Sequence, residues 1–224
     1  MATIVGIIFH GIGAPGRDLE PGEAPYWIST DRLERILDQV QAAPRPDLIQ
    51  LSFDDGNASD HDIALPRLLE RKLAADFFVL SGRIGQPGSL SADQIRALRD
   101  AGMGVGSHGI AHVKWPALAA ADLSHELTRS KQDIETILDR PVDLAGIPFG
   151  AWDGRVLRAL HGAGYRAAYS SDRGAMDPTA FLRPRTSITA AMLPVEIAAI
   201  LAGHMPPLAR LRRMLAVAYK RLRV

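Results

Sequence analysis

Two adjacent carboxylates are the first residues in the sequence whose type and position suggest chemistry. Asp54 and Asp55 follow residues 48–53, an apolar run typical of a buried strand, and Gly56 comes next. In parallel α/β folds, sites are assembled at the carboxyl ends of strands, and a glycine-assisted turn can bring both side chains to one side. A solvated Asp-Asp-Gly turn is the alternative that this segment alone leaves open.

A second candidate group is the pair His108 and His112, which follows another β-rich run at residues 103–106. The i, i+4 spacing places two imidazoles on one side of a helical turn, where they can bind one cation. Since the chain holds seven histidines, chance spacing is the alternative. Two histidines and one carboxylate, all at strand ends, together make a three-ligand site with open positions, the pattern of catalytic zinc and related divalent metals.

Aromatic side chains after a further strand suggest the kind of substrate. Pro148 fixes the loop 146–153, which offers Phe149 and Trp152 at its rim with Gly150 between them. Exposed aromatic rings beside a polar metal site suit the flat C–H faces of sugars, so the loop indicates carbohydrate. We assign Trp115 to the same substrate surface. The alternative is a structural turn whose aromatic side chains belong to the core.

Short β-rich runs and longer segments of helical period alternate along the chain and must position these residues. The predicted strands span residues 3–9, 48–53, 76–80, 103–106, 142–146, 165–169 and 183–188. Among the helices, the first has Asp31 as its predicted N-cap, and the second opens with a capping box of Ser91 and Gln94. The alternation predicts an α/β fold in one domain, and the number of βα units favours a closed or nearly closed barrel over an open sheet.

One familiar motif is excluded by its context. Residues 11–16 match the phosphate-binding pattern G-x-G-x-x-G, but Pro21 and Pro25 prevent the helix that this pattern requires. We interpret residues 14–25 as an ordered loop that is rich in turns. Because the sequence has neither a Gly-Lys-Ser/Thr phosphate loop nor a G-x-S-x-G elbow, nucleotide-driven and serine-hydrolase chemistry are not expected.

Composition narrows the class of protein further. The chain has 224 residues, of which 47% are apolar, a formal net charge of +1 and no cysteine. These values suit one sizeable core and exclude thiolate ligands, disulfides and a cysteine nucleophile. They give no reason to expect nucleic acid as a partner. We expect a cytoplasmic location, since the first ten residues lack the features of a signal peptide and no stretch reaches ~18 apolar residues.

The charge is unevenly distributed along the chain. Residues 208–224 carry six basic residues and no acid, which leaves residues 1–207 with a net charge of −5. Apolar residues recur at helical spacing in this tail, so we predict a basic amphipathic helix that belongs to the same domain as the catalytic body, residues 1–207. Two interpretations stay open: a helix packed on the barrel with a solvated basic face, or a peripheral contact with an anionic membrane.

The segments 52–56, His108-x-x-x-His112 and Pro148-Phe149-Gly150, in this order and at these separations, resemble the first three motifs of the polysaccharide deacetylase family, carbohydrate esterase family four. Connecting segments extend the resemblance over roughly residues 3–190. It implies a distorted (β/α) barrel, commonly with about seven parallel strands. It also implies the removal of N-acetyl groups from saccharides of the chitooligosaccharide kind.

The resemblance further implies a role for each motif residue. Asp55, His108 and His112 would hold a divalent metal, usually zinc, with cobalt, nickel or manganese as alternatives. Asp54 would be the general base, because a carboxylate that binds no metal can accept a proton from the activated water.

The proton donor and the partner of Asp54 are predicted from departures from the family pattern. The late Leu-x-His motif has no close counterpart at His204, whereas His10 ends the first strand as aliphatic-x-His, as in circularly permuted members. His10 is therefore the predicted general acid and His204 the alternative. Gly146 stands where the third motif commonly has an arginine, and the fourth motif is not recognisable. Arg185 resembles an arginine on the last strand and is predicted to hold Asp54 in its place.

The function predicted from the sequence is a metal-dependent hydrolase of linear amides that removes N-acetyl groups from an oligosaccharide, a polysaccharide or a lipid-linked sugar. The alternatives are a metal-dependent hydrolase of a different amide and a catalytically silent relative that binds saccharides.

Overall fold

A computed structural model describes residues 4–222 and arranges short strands into a ring. In chain order, the strands are β1 Ile4–Phe9, β2 Ile49–Asp55, β3 Ala75–Val79, β4 Gly104–Ser107, β5 Leu144–Gly146, β6 Ala167–Ser170, β7 Ala175–Met176, β8 Leu182–Pro184 and β9 Thr186–Ser187. Neighbours follow the order β7-β1-β2-β3-β4-β5-β6-β8, with β9 beside β1. Only the contact of β7 with β1 is antiparallel among these pairings. Thr3, the first residue of the predicted first strand, lies outside the described residues.

The last strand segment brings the two ends of the sheet together. β8 pairs with β6, where Pro184 lies opposite Ser170, and β9 pairs with β1, where Thr186 lies opposite Ile7. The single strand predicted over 183–188 is therefore two short strands, because this segment stops pairing with β6 after Pro184 and pairs with β1 from Thr186. Arg185 is the residue at this crossing point. The predicted nearly closed barrel is confirmed.

The helices of the described chain lie outside the ring. They are α1 Thr30–Gln41, α2 Leu65–Glu70, α3 Ala92–Asp100, α4 Ala120–Leu138, α5 Gly154–Gly162, α6 Pro194–Leu201 and α7 Pro207–Leu222. The predicted capping box is confirmed, since the side chains of Ser91 and Gln94 each bond the backbone of the other residue. The prediction that Asp31 caps α1 is wrong. Ser29 is the N-cap, because its extended backbone lets its hydroxyl accept the amide of Arg32.

The strand alternation separates an outer core from a polar interior. Ile7 of β1 and Phe53 of β2 face outward and belong to the large apolar cluster beneath the helices. Ser52 and Asp54 alternate with them and face the interior of the barrel, where the rings of Phe78 and Tyr169 lie. The inward residues of β2 are therefore polar, and Asp54 lies at the carboxyl end of the strand with the other candidate catalytic residues.

The segment after β1 forms the expected ordered loop. Ile12 bridges to Ile28 at its base, and only a short 3-10 turn, Ala24–Tyr26, interrupts the irregular path between them. No helix follows the glycines, so the nucleotide-binding pattern is excluded by structure as well as by sequence. Within residues 4–222, we find no helix that combines the length and the apolar composition needed to cross a bilayer.

Candidate active site

The carboxyl ends of several strands surround one cavity of about 260 Å³. The predicted site residues that line it are His10, Asp54, Asp55, His108, His112, Phe149 and Gly150. They come from four separate segments of the chain, and the parallel strands bring them to one end of the barrel. The cavity is therefore the place where the predicted chemistry would occur.

Unusual backbone conformations aim several of these side chains at the cavity. On a regular strand, Asp55 would face the opposite side from Asp54, but its φ of 80° turns it inward. His112 and Phe149 also have positive φ, of 49° and 57°. Such conformations cost a non-glycine residue of order 1–3 kcal/mol, and they cluster at functional sites. The local strain at this cavity therefore agrees with a site shaped for ligand contact.

Asp55, His108 and His112 form a compact group with the geometry of metal ligands. One donor atom from each residue lies within 4.8 Å of the other two. Nε2 of His108 is 3.4 Å and Nε2 of His112 is 3.5 Å from Oδ1 of Asp55. That oxygen is buried and accepts no hydrogen bond, a costly state for a carboxylate unless a cation satisfies it. The donor set of two imidazoles and one carboxylate fits a divalent metal.

Partners on the far side of each imidazole fix its orientation and tautomer. Nδ1 of His108 is 2.9 Å from the carbonyl oxygen of Gly146, and Nδ1 of His112 is 2.6 Å from Oε2 of Glu20. Because these oxygens only accept hydrogen bonds, each Nδ1 carries the proton and each Nε2 presents its lone pair toward Asp55. This arrangement is common around histidines that bind metals.

The electrostatic environment favours the same ligand group. Burial would raise the pKa of the Asp55 carboxyl, but the nearby rings of His108, His10 and His112 outweigh burial and hold it well below its usual range. Burial lowers the pKa of His112 despite the opposing charge of Asp55, which favours the neutral imidazole. The pKa of His108 is raised, because Asp55 and Asp54 outweigh its burial. A cation could replace the proton that this negative charge attracts.

Asp54 is held by Arg185 and lies outside the three-ligand group. Nη1 and Nη2 of Arg185 donate to Oδ1 and Oδ2 of Asp54 at 2.7 and 2.9 Å, a bidentate pair. The guanidinium is only 1% exposed, lies 4.7 Å from the ring centre of Phe78, and also donates to Oγ of Ser52. The structure thus brings together the two residues that the sequence paired.

The two candidate proton donors lie in different places. His10 follows β1 and lines the cavity, with its ring 4.9 Å from the ring of Tyr26. Its Nδ1 is buried without a hydrogen-bond partner. His204 follows α6 and lines a separate cavity with Val5 and Met205. Of the two histidines, His10 is the one that lines the same cavity as Asp54.

The aromatic residues predicted to contact substrate do not share one surface. Phe149 is 53% exposed at the rim, where its ring stacks on His112 with 4.3 Å between ring centres. Trp152 is 2% exposed and donates to Asp172, and Trp115 is fully buried. Both tryptophans belong to an apolar cluster between the sheet and its helices. Core packing occupies both rings, so neither lies against the cavity that holds the other predicted residues.

The remaining predicted residues of this loop shape the cavity wall. Pro148 is buried and does not line the cavity, so its part is to fix the turn. Gly150 does line it, with a φ of 58°, and a Cβ there would lie 2.1 Å from Oγ of Ser171. Glycine is therefore required at this position for the loop to approach the segment after β6.

Sequence reasoning missed the loop that forms the opposite wall. Glu20 and Glu23 both line the cavity. Glu20 bonds His112 and also pairs with Arg83, while Glu23 accepts from Arg17 at 2.9 Å. The available signal was a pair of acidic residues among prolines and glycines, directly after the carboxyl end of a strand, where parallel folds assemble their sites.

Gly146 departs from the common family pattern for a steric reason. A Cβ at this position would lie 2.9 Å from Nδ1 of His108 and 2.9 Å from Cγ of Phe78. No side chain fits there, because the backbone must come close enough for its carbonyl to accept from His108. An arginine at this position is therefore incompatible with the rest of this site.

The fold and the cavity define a (β/α) barrel with a mixed imidazole and carboxylate site at the carboxyl ends of its strands. A sequence model of the family described as Polysaccharide deacetylase matches residues 41–168. The chain belongs to this family, whose enzymes act on N-acetyl amide bonds.

Individual relatives agree with this assignment. YxkH of Bacillus subtilis (strain 168), whose name places it among polysaccharide deacetylases, is 23% identical over 157 residues. The match covers 70% of this chain and 53% of YxkH, so the chain spans about half the length of that relative.

Solved structures share the fold over most of the chain. The deacetylase PplD of Streptococcus pyogenes, in complex with acetate, has a TM-score of 0.76 and 17% identity, covering 92% of this chain and 99% of its own. The polysaccharide deacetylase BC0361 from Bacillus cereus has a TM-score of 0.76 and 20% identity, with coverage of 89% and 69%. IcaB from Ammonifex degensii has a TM-score of 0.74 and 19% identity, with coverage of 89% and 96%.

The contact of Glu20 with His112 generates a first prediction. The substitution Glu20→Ala removes the acceptor that orients the His112 ring, so we expect the affinity for Zn²⁺ to fall about 10- to 100-fold. Glu20→Gln keeps a carbonyl acceptor and should lose less. Competition against a chromophoric chelator measures both. Glu70→Ala, at the exposed end of α2, is the control. Equal affinity of Glu20→Ala and Glu70→Ala would show that His112 needs no such partner.

Proposed function

We propose that this protein is a divalent-metal-dependent hydrolase that removes N-acetyl groups from amino sugars in a saccharide. One observation carries the proposal: the cavity combines a three-ligand group with a separate carboxylate, Asp54, that Arg185 holds in place. A protein that only bound saccharides would need no such spare carboxylate. Family membership supports the same substrate class.

The ligand group would be Asp55, His108 and His112, with zinc as the first candidate and cobalt, nickel or manganese as alternatives. A divalent metal held there supplies Lewis acidity toward the acetyl carbonyl and makes water more acidic. The unsatisfied oxygen of Asp55 and the two inward Nε2 atoms are the observations that support this assignment.

Asp54 acts as the general base in the proposed mechanism. Its two oxygens each accept one hydrogen bond from Arg185, and each keeps a further lone pair for a proton. The bidentate contact fixes the carboxylate at the cavity wall. Asp54 takes a proton from the water that attacks the acetyl carbon.

His10 acts as the general acid on the departing group. When the carbon–nitrogen bond breaks, the amine needs a proton to leave as a neutral group, and His10 donates it. The products are acetate and a free amino sugar. The position of His10 in the cavity supports this role. Phe149 offers an exposed ring for the sugar face.

The proposal predicts that Asp54→Asn reduces acetate release from N-acetylglucosamine oligomers about 10²- to 10⁴-fold, with bound metal unchanged in the folded fraction, because the base is lost while the amide oxygen still accepts from Arg185. Acetate assays and elemental analysis measure the two quantities, and Asp93→Asn on exposed α3 is the control. Acetate release only from another amide would indicate a different hydrolase. Saccharide binding without acetate release in the wild type would indicate a binding protein.

A third prediction concerns the arginine. Arg185→Lys keeps a positive charge but loses the bidentate contact, so Asp54 is held less rigidly and kcat should fall about 10- to 100-fold. Metal content should stay constant. Arg183→Lys, which removes neighbouring contacts to Tyr169 and Ala180, is the control. A matching loss of metal and of folded protein in Arg185→Lys would indicate a structural role alone.

A fourth prediction separates the two histidines. His10→Ala should lower kcat for N-acetylated saccharides about 10²- to 10⁴-fold, because the amine then leaves unprotonated. Hydrolysis of p-nitrophenyl acetate should be much less affected, since its leaving group needs no proton. His204→Ala, in a separate cavity, is the control and should resemble the wild type. The reverse pattern would assign the acid to His204.

A further inference from the structure

The C-terminal helix α7 shows its apolar side to solvent. Leu208, Leu211, Leu215 and Leu222 are 52–81% exposed, and Met214 and Tyr219 are exposed as well. At ~100° per residue, the leucines fall on one stripe along the 16-residue helix. An apolar surface of this kind marks an interaction site in a soluble protein. The helix packs on the barrel, but the leucines of this stripe do not form the contact.

Polar contacts attach the opposite side of α7 to the barrel. Nζ of Lys220 donates to Oδ1 of Asp172 at 2.5 Å and to the carbonyl of Gly150 at 2.8 Å. Nε of Arg213 donates to the carbonyl of Asp172 at 3.1 Å, and Val217 packs against the apolar cluster under α5. These residues recur at i, i+4 and i+7, so the helix is held by one face and leaves the leucine stripe pointing outward.

The charges around the stripe favour one kind of partner. At ~100° per residue, Arg212 lies about 40° beyond one edge of the leucine stripe, while Arg221 and Arg210 lie about 80° and 100° beyond the other edge, on the side of Met214. Residues 208–222 contain no acid, whereas residues 1–207 have a net charge of −5. Arginine side chains at the edges of an apolar face reach the phosphate level of a lipid surface while the leucines enter the acyl region.

We infer that α7 binds an anionic lipid bilayer through the leucine stripe and its flanking arginines. Charge complementarity carries this choice, because a symmetric contact between the α7 helices of two copies would place these arginines against another set of the same sign. Binding would be peripheral, with the helix axis in the plane of the interface. Arg223, the last basic residue of the tail, lies outside the described residues.

The attachment of α7 connects this surface to the cavity. Gly150, which accepts from Lys220, lines the cavity, and the exposed ring of Phe149 stands beside it. Nζ of Lys114 is 5.7 Å from the centre of that ring and shares a surface groove with Tyr219. A bilayer on the leucine stripe would lie on the far side of α7 from Gly150, about one helix diameter (~10 Å) from the cavity rim. Resting on the proposed function, this geometry points to an N-acetylated sugar carried by a lipid as the substrate class.

Vesicle co-sedimentation tests the surface. We expect the wild type to bind vesicles of phosphatidylglycerol and phosphatidylcholine, and to bind pure phosphatidylcholine far less. Leu211→Ser with Leu215→Ser should weaken binding about tenfold or more, because two exposed leucines no longer enter the bilayer. Arg210→Gln, Arg212→Gln and Arg221→Gln together should weaken it about 100-fold at low salt. Leu69→Ser with Val195→Ser, exposed apolar residues on other helices, is the matched control.

Two outcomes would overturn the inference. Equal binding of the wild type and the Leu211 and Leu215 variant would exclude the stripe. A wild-type dimer that this variant converts to monomer, in sedimentation without lipid, would make a second copy the partner.

Activity measurements separate this inference from the proposed function. With N-acetylglucosamine attached to a lipid in the anionic vesicles, kcat/KM should fall about tenfold in the Leu211 and Leu215 variant, and acetate release from soluble oligomers should be unchanged. Vesicle binding without any acetate release would overturn the proposed function alone. Acetate release without vesicle binding would overturn the membrane contact alone.

Discussion

The buried ion pair between Arg185 and Asp54 is the constraint on which the rest of the site depends. Arg185 lies where the chain crosses from β6 to β1 and completes the ring. Ser52, which accepts from Arg185, itself donates to the carbonyl of Ile7, so the interaction connects β2, β1 and the closing segment. Removing one partner of such a pair costs about 3–5 kcal/mol, because a buried charge is left alone. Barrel closure and the placement of Asp54 are therefore coupled.

Small residues make this arrangement sterically possible. A Cβ on Gly6 of β1 would lie 2.8 Å from Cγ of Arg185 and would displace its side chain. Gly146 leaves room for the ring of His108 and excludes the arginine that the family pattern commonly has there. The site thus uses one arginine from the closing strand, and a second from β5 cannot be added.

Most of the framework could be predicted from the sequence, because strand alternation and strand-end motifs are local patterns. The Asp54-Asp55 pair, the two histidines and the barrel all follow from such patterns. Burial of Trp115 and Trp152 could not, since it depends on helices that are distant in the chain. The inward turn of Asp55 required a positive φ at a non-glycine residue, which no propensity predicts.

The missed and misplaced details share a physical origin. Glu20 lies in a loop without periodicity, and its contact with His112 spans 92 positions of the chain. Asp31 had the right residue type for a cap, but Ser29 had the extended backbone that capping requires. Residue type alone was informative but insufficient, since a contact with a residue distant in the chain decided the first case and local backbone conformation decided the second.

The two imidazoles of the ligand group are supported unequally. The ring of His108 is anchored to a backbone carbonyl within the barrel wall, which moves only if a strand moves. The ring of His112 is anchored to the side chain of Glu20 on the loop after β1, which is itself held by the ion pairs of Glu20 with Arg83 and of Glu23 with Arg17. The orientation of His108 therefore depends on the sheet, whereas the orientation of His112 depends on a loop. Any displacement of that loop would move His112 relative to Asp55 and His108, so the geometry of the candidate ligand group and access to the cavity depend on the same segment.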